Sequence, residues 1–105
     1  MIRKVHLRPA ARRDLEGIAD FFADGSLATA LRFAAATDAA LSRLVESPRI
    51  GHPRPGEDPL LLQLRSWPVP GFEDILVIYR SDPGRIDVIR ILHGARNEST
   101  ILEEE

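Results

Sequence analysis

Two apolar runs late in the chain set its pattern. Ile75 to Tyr79 is nearly unbroken and rich in β-branched and aromatic residues; Ile86, Val88, Ile89, Ile91 and Leu92 form a second run. Ser81-Asp82-Pro83-Gly84 lies between them. Pro83 presets the dihedral of a turn's first corner, and Gly84 can take the positive dihedral of the next. Phe72 to His93 is therefore predicted as an antiparallel hairpin. Apolar residues on both faces put this pair in the middle of a sheet, covered on at least one side. The polar exceptions are Arg80, Asp87, Arg90 and His93.

The rest of the chain is read from its start. Met1 to Arg8 alternates, with Ile2, Val5 and Leu7 among charged residues, and predicts an edge strand. Pro9 ends it and suits the first turn of a helix. In Ala10 to Ala23, Ala11, Leu15, Ile18 and Phe22 fall on one helical stripe, and Arg12, Arg13, Asp14, Glu16 and Asp20 are expected to face outward. Gly17 in the middle implies close packing of a neighbouring helix. Asp24-Gly25-Ser26 breaks the helix, with Ser26 suited to cap the next. Leu27 to Glu46 predicts a second helix whose stripe is Leu27, Leu31, Ala34, Leu41, Leu44 and Val45, with Ala30 and Phe33 beside it. The short break makes the two helices an antiparallel hairpin.

Arg49 to Pro59 carries three prolines and two glycines and reads as a loop without regular structure. Leu60 to Trp67 reads as a strand, and Pro68 to Gly71 as the turn into the central hairpin. Glu98 to Glu105 is a short acidic tail, expected to stay loose or form one helical turn. The order is strand, helical hairpin, then three strands in a row. That is an α+β fold with an N-terminal strand, an α-helical hairpin and a three-stranded antiparallel meander, helices on one face of the sheet.

Composition narrows the function classes. The 105 residues suffice for one domain, 1–105, with one core. No run of apolar residues is long enough for a membrane span, and the N-terminus lacks the apolar core of a signal peptide. There is no cysteine, so disulfides and thiolate metal sites are excluded. A cytoplasmic protein is expected. The formal net charge of −2 argues against direct DNA binding. Lys4 is the only lysine; the other basic residues are arginines, for which codon bias is a better explanation than chemistry.

Candidate chemistry is sparse. His6, His52 and His93 match no metal-ligand spacing, so they form a site only if the fold gathers them. No serine–histidine arrangement supports hydrolysis. The loop at Arg49 to Pro59 lacks the strand-then-helix context of a nucleotide site, and no cofactor is implied. Metal-free RNA cleavage needs a base, cationic donors and an acid. Glu73 is a candidate base, Arg65, Arg80, Arg90 and Arg96 are candidate cations, and His93 or Tyr79 a candidate acid.

The order of these features resembles a known family. Leu7 to Ile18, with Ala11, Asp14, Leu15 and Ile18, then Phe22, is similar to the opening of the ParE toxins in the ParE/RelE superfamily. Phe33, Leu44, Pro48 and Gly51, then Leu64-Arg65 and Ile78-Tyr79-Arg80, continue the likeness. Ile89 to Arg96, ending His93-Gly94-Ala95-Arg96, resembles the last strand and its His-Gly-x-Arg close. The resemblance runs from Val5 to Asn97. It implies a helical hairpin on a twisted antiparallel sheet, and the toxin of a type II toxin–antitoxin module. It implies a ParD-like antitoxin as partner and DNA gyrase as target, without catalysis.

The alternative within the superfamily is a RelE-like ribonuclease acting on the ribosome. Such enzymes are strongly basic and carry a tyrosine near the C-terminus; this chain is neither basic overall nor has a tyrosine after Gly94. A third reading is a weakly toxic complex that regulates its own operon. A small sheet with helices on one side leaves its other face poorly covered. Trp67, Leu61 and Phe72 are expected there, next to Arg65 and Arg80. An acidic antitoxin tail would cover that face, with Arg65, Trp67, Arg80, His93 and Arg96 as candidate antitoxin or target contacts.

Overall fold

The computed structural model describes residues 4–54 and 63–93. Along the chain run β1 (Lys4–Leu7), α1 (Pro9–Gly25), α2 (Leu27–Glu46), β2 (His52–Pro53), β3 (Arg65–Val69), β4 (Phe72–Asp82) and β5 (Arg85–His93). The five strands form one sheet in the order β1-β5-β4-β3-β2. β1 is parallel to β5, and all other pairs are antiparallel. The α+β class, the edge strand and the central hairpin stand as the residues predicted.

Local chemistry explains the elements. Pro9 opens α1 where no amide is needed. Ser26 serves both helices: its N–H donates to the Phe22 carbonyl at 2.8 Å, and its Oγ accepts from the Thr29 N–H at 3.2 Å. The helices are thus parted by one residue, and Gly25 is still helical. In the central hairpin Asp82 pairs with Arg85, so Pro83-Gly84 alone makes the turn, with Gly84 at φ +79°.

The central hairpin carries a bulge. Ile78 pairs with Arg90 and Tyr79 with Val88, leaving Ile89 unmatched. The bulge shifts the side-chain alternation by one. Ile86, Val88 and Ile91 can therefore all join the core under the helices, while Ile89 and Leu92 join Leu64 and Ile78 on the other face. Under the helices, Phe22, Phe33 and Phe72 stack mutually at centroid distances of 5.2 to 5.5 Å, tying α1, α2 and β4 at one point.

Several expectations change. The core stripe of α2 is Ala30, Phe33, Thr37, Ala40 and Leu44; Leu27 and Leu31 stand 67% and 63% exposed. Thr37 is tolerated inside because its hydroxyl donates to the Phe33 carbonyl at 2.9 Å. The loop before β3 contains β2, which pairs His52 with Ser66 and Pro53 with Arg65. Pro53 lies on the sheet's edge, where a missing donor costs no ladder bond. Pro68 and Val69 belong to β3 and not to the turn, while the expected start of that strand falls partly on residues outside those described. The face away from the helices is not bare: Leu64, Ile78, Ile89 and Leu92 are buried there. Trp67 and Phe72 pack instead on the helix-side core. Leu61 and the acidic tail lie outside the described residues.

The new α2 stripe is directly testable. Leu31→Gln should change stability by no more than about 0.5 kcal/mol. Leu44→Ala should cost about 2–5 kcal/mol, as for a fully buried leucine. Urea unfolding of the two variants separates the observed stripe from the one predicted by periodicity.

Candidate functional site

α1 takes the place of a strand beside β5. β1 ends at Leu7, and its last rung is the Arg8 N–H on the Val88 carbonyl at 3.1 Å. Beyond Val88, α1 runs along β5 in place of a paired strand. Asp14 lies there. Its Oδ2 accepts the Ile91 N–H at 3.0 Å and the Arg90 Nε at 2.6 Å, and its Oδ1 accepts Arg90 Nη2 at 2.8 Å. Asp14 therefore faces the sheet and not outward. The pair is largely buried, with side-chain exposures of 14% and 9%. A bidentate, charge-assisted bond of this kind is among the stronger polar contacts available.

Next to this pair a groove of about 460 Å³ opens between α1 and the end of β5. Arg13, Gly17 and Phe21 follow one another along its helix wall at steps of four, with Ile18 and Phe22 beside them. Arg90 to His93 form the strand wall. Phe21 is 71% exposed. Gly17 is not a packing glycine: a Cβ built there meets nothing within 4 Å. It is nonetheless at the centre of a helix, where glycine costs about 1 kcal/mol relative to alanine.

A second polar cluster lies at the β4–β5 turn. Asp87, fully buried, receives Arg8 at 3.0 Å and Arg80 at 3.5 Å, with Arg85 at 3.9 Å. Arg80 also bonds Asp82 at 3.1 Å. This cluster ties β1, β4 and β5 together.

A third joins α2's end to the sheet. The Tyr79 hydroxyl donates to the Pro48 carbonyl at 2.7 Å and accepts the Gly51 N–H at 2.9 Å. Arg65, paired across the ladder with Tyr79, donates to the carbonyls of Gly51 at 2.8 Å and Arg49 at 3.2 Å. Gly51 has to be glycine here, because a Cβ would lie 2.5 Å from the Tyr79 hydroxyl. Burial pushes the Tyr79 phenol above its ordinary value, opposed by the Gly51 hydrogen bond and the Arg65 charge.

Among the described residues the structure does not gather the candidate contacts Arg65, Trp67, Arg80 and His93 into one cluster. Arg65 and Trp67 share the helix-side face of β3, Arg80 belongs to the Asp87 cluster, and His93 ends β5 at the groove. Arg96 lies outside the described residues. The candidate acid–base groups are dispersed as well. Tyr79 and His93 sit four rungs apart on the ladder, roughly 13 Å along a strand. Glu73 accepts the Gly71 N–H and so closes the turn before β4. His6 and His52 lie on opposite edge strands. Among the described residues no three His, Asp or Glu side chains come together as metal ligands. No described helix is long and apolar enough to cross a membrane.

Sequence reasoning missed Arg13, Gly17 and Phe21 as one wall. The available signal was Gly17 in mid-helix, with Phe21 outside the Leu15–Ile18–Phe22 stripe.

Comparison with known proteins adds context to this geometry. A family described as the ParE toxin of the type II toxin–antitoxin system parDE matches residues 5–98. Among solved structures, the chromosomal ParDE TA system from P. aeruginosa has a similar fold. Its TM-score is 0.66 over 88% of this chain and 96% of that one, at 20% identity. No curated protein matches the chain.

Two predictions follow from the buried polar contacts. Asp14→Ala strands the Arg90 guanidinium and the Ile91 amide, and should cost about 3–5 kcal/mol in denaturant unfolding. Asp14→Asn keeps an acceptor for Ile91 and should cost less. Tyr79 is the only tyrosine, so its phenolate absorbance reports one group. Its folded pKa is raised, so its contribution is complete below the unfolded value of 10.0. As pH rises above that value the unfolded state loses its proton first, and stability must fall. Tyr79→Phe should remove this alkaline dependence while costing about 1–3 kcal/mol near neutrality for the two orphaned backbone groups.

Proposed function

The chain belongs to the family of ParE toxins of type II toxin–antitoxin systems, and from that we propose that it acts by binding DNA gyrase, without catalysis, and is neutralised by a ParD-type antitoxin. The observation that carries the non-catalytic reading is the state of the candidate RNA-cleaving groups. A phosphoryl-transfer site needs a base, an acid and cationic donors converging on one phosphate. Arg80 and Arg90 are bound to aspartates, Arg65 to backbone carbonyls, and Tyr79 to the turn after α2. Releasing any of them would uncover a buried partner.

Charge supports the same reading. A formal charge of −2 suits a protein target better than ribosomal RNA, whose phosphates demand a basic face. The antitoxin is supported by the family and by the similarity to a chromosomal ParDE system. Both partners in this reading are proteins, so function resides in surface shape and not in a reactive centre.

The test is supercoiling by purified gyrase with ATP and increasing amounts of this protein, freed of antitoxin. Loss of supercoiling with accumulation of cleaved linear DNA, both reversed by the antitoxin, is expected. Translation reactions run in parallel should keep their messenger RNA intact. Unaffected gyrase together with cut messenger RNA would move the protein to the ribonuclease branch.

A further inference from the structure

We propose that the helix-free face of the sheet, at the end where β4 turns into β5, binds the phosphate backbone of duplex DNA through Lys4, Arg8, Arg80 and Arg85. This contact goes beyond the gyrase reading and stands independently of it. With gyrase as the target, it would fall on the DNA that the enzyme holds.

The register puts these side chains together. Ile86 and Val88 join the core under the helices, so Arg85 and Asp87, which alternate with them, project from the other face. One rung there is Lys4–Arg85–Asp82, and the next is His6–Asp87–Arg80. Arg8 reaches the same place through its two bonds to Asp87, at 3.0 and 3.4 Å. Lys4, Arg8, Arg80 and Arg85 against Asp82 and Asp87 leave +2 on a chain whose total is −2. The formal charge that argues against DNA binding is thus an average over a surface on which the fold separates the signs.

The cations at this end outnumber what the fold uses. Asp87 is fully buried, and the Arg8 fork occupies both its oxygens. Arg85 is left 3.9 Å from Asp82 and from Asp87, beyond hydrogen-bond range, and is half exposed. Lys4 makes no ion pair among the described residues and lies directly across the ladder from Arg85. Like charges in that relation are destabilising. An acidic residue at position 4 would turn the repulsion into a cross-strand ion pair. Two cations kept side by side at a cost to the fold, with donors left open, suit an anion placed between them.

Duplex phosphates fit this face better than single-stranded RNA. Single strands are held by stacking their bases on aromatic rings, whereas a duplex is gripped through its phosphates. Trp67, Phe72, Tyr79, Phe22 and Phe33 belong to the helix-side core, and Phe21 lies on α1. The chain has no other Phe, Trp or Tyr, so this face offers cations without a stacking platform. An excess of this size suits a few phosphates and falls short of the broad basic face of a ribosome-bound enzyme.

The test follows the amide NMR spectrum of the full chain, titrated at low salt with a short duplex DNA and, separately, with a single-stranded RNA of the same length. The DNA titration is repeated at rising salt, and thermal unfolding is recorded for each variant. Duplex DNA should shift amides of 4–8 and 80–87, with an affinity that falls as salt rises. Lys4→Gln should lower the log–log salt slope by about one. Lys4→Glu should bind about tenfold or more weakly, yet unfold at a higher temperature than wild type, because it pairs with Arg85. Arg32→Gln, on the exposed side of α2, should change neither. Absent shifts, shifts centred elsewhere, or wild-type affinity in Lys4→Glu overturn the proposal and leave the gyrase reading to its own supercoiling assay. Tighter binding of the RNA than of the duplex also overturns it and favours the ribonuclease branch.

Discussion

Asp14 is the contact on which the arrangement of helices over sheet depends. A central strand needs hydrogen-bond partners on both sides, and β5 outruns its neighbour β1 at Leu7. The Ile91 amide would otherwise point into an apolar layer, where an unmade bond is costly. Asp14 accepts that amide and at the same time neutralises Arg90. One carboxylate thereby replaces a rung of the ladder and fixes α1 along β5. The choice is demanding: a buried ion pair gains little over well-packed apolar residues, but losing half of it is severe. What the pair supplies is position, because its two-pronged geometry allows one placement of the helix.

The opposite end of the hairpin is fixed by a different device with the same logic. Tyr79, Arg65 and Gly51 use side-chain donors and acceptors to satisfy the backbone of the turn after α2. The phenol is buried, yet both its hydrogen-bonding roles are filled, so burial is tolerated. Beyond the Asp14 contact, toward the tip of the helical hairpin, the Phe22, Phe33 and Phe72 cluster supplies apolar contact. The helical hairpin is therefore held by polar contacts at its open end and along α1, and by an aromatic cluster near its tip. The groove runs from the Asp14 contact toward Phe22, where helix and strand are pinned by a short polar contact.

The elements whose pattern is local were legible in the sequence. The central hairpin was written in two apolar runs and a Pro-Gly turn, and α1 in a stripe at helical spacing. The α2 stripe was misread because its alanines carry no sign of direction: Ala30, Ala34, Ala36 and Ala40 fit several phases, and Leu27 and Leu31 drew the prediction toward the wrong one. The burial of Phe33 and Leu44 at the centre of the sheet decides the phase, and that is a tertiary fact. The Ile89 bulge was invisible for the same reason, since an apolar run on both faces hides a shift of alternation. Trp67 was placed on the wrong face because the register of β3 depends on pairing with β4 across residues far apart in sequence. Of the site, the residue types were visible but their partners were not. A charged residue reads as exposed until a second charge, here 76 positions away, is brought to meet it.

This has a bearing on the chain's preference for arginine. Arg8 reaches both oxygens of Asp87, Arg90 reaches both oxygens of Asp14, and one nitrogen of Arg65 serves two carbonyls. A lysine ammonium is a point charge on a flexible stem and cannot reproduce a planar fork. At these positions the arginines are counterions and props of the fold, whatever codon bias supplied elsewhere. Among the described residues, the cations that most resemble catalytic groups in the sequence, Arg65, Arg80 and Arg90, are thus those most committed to structure.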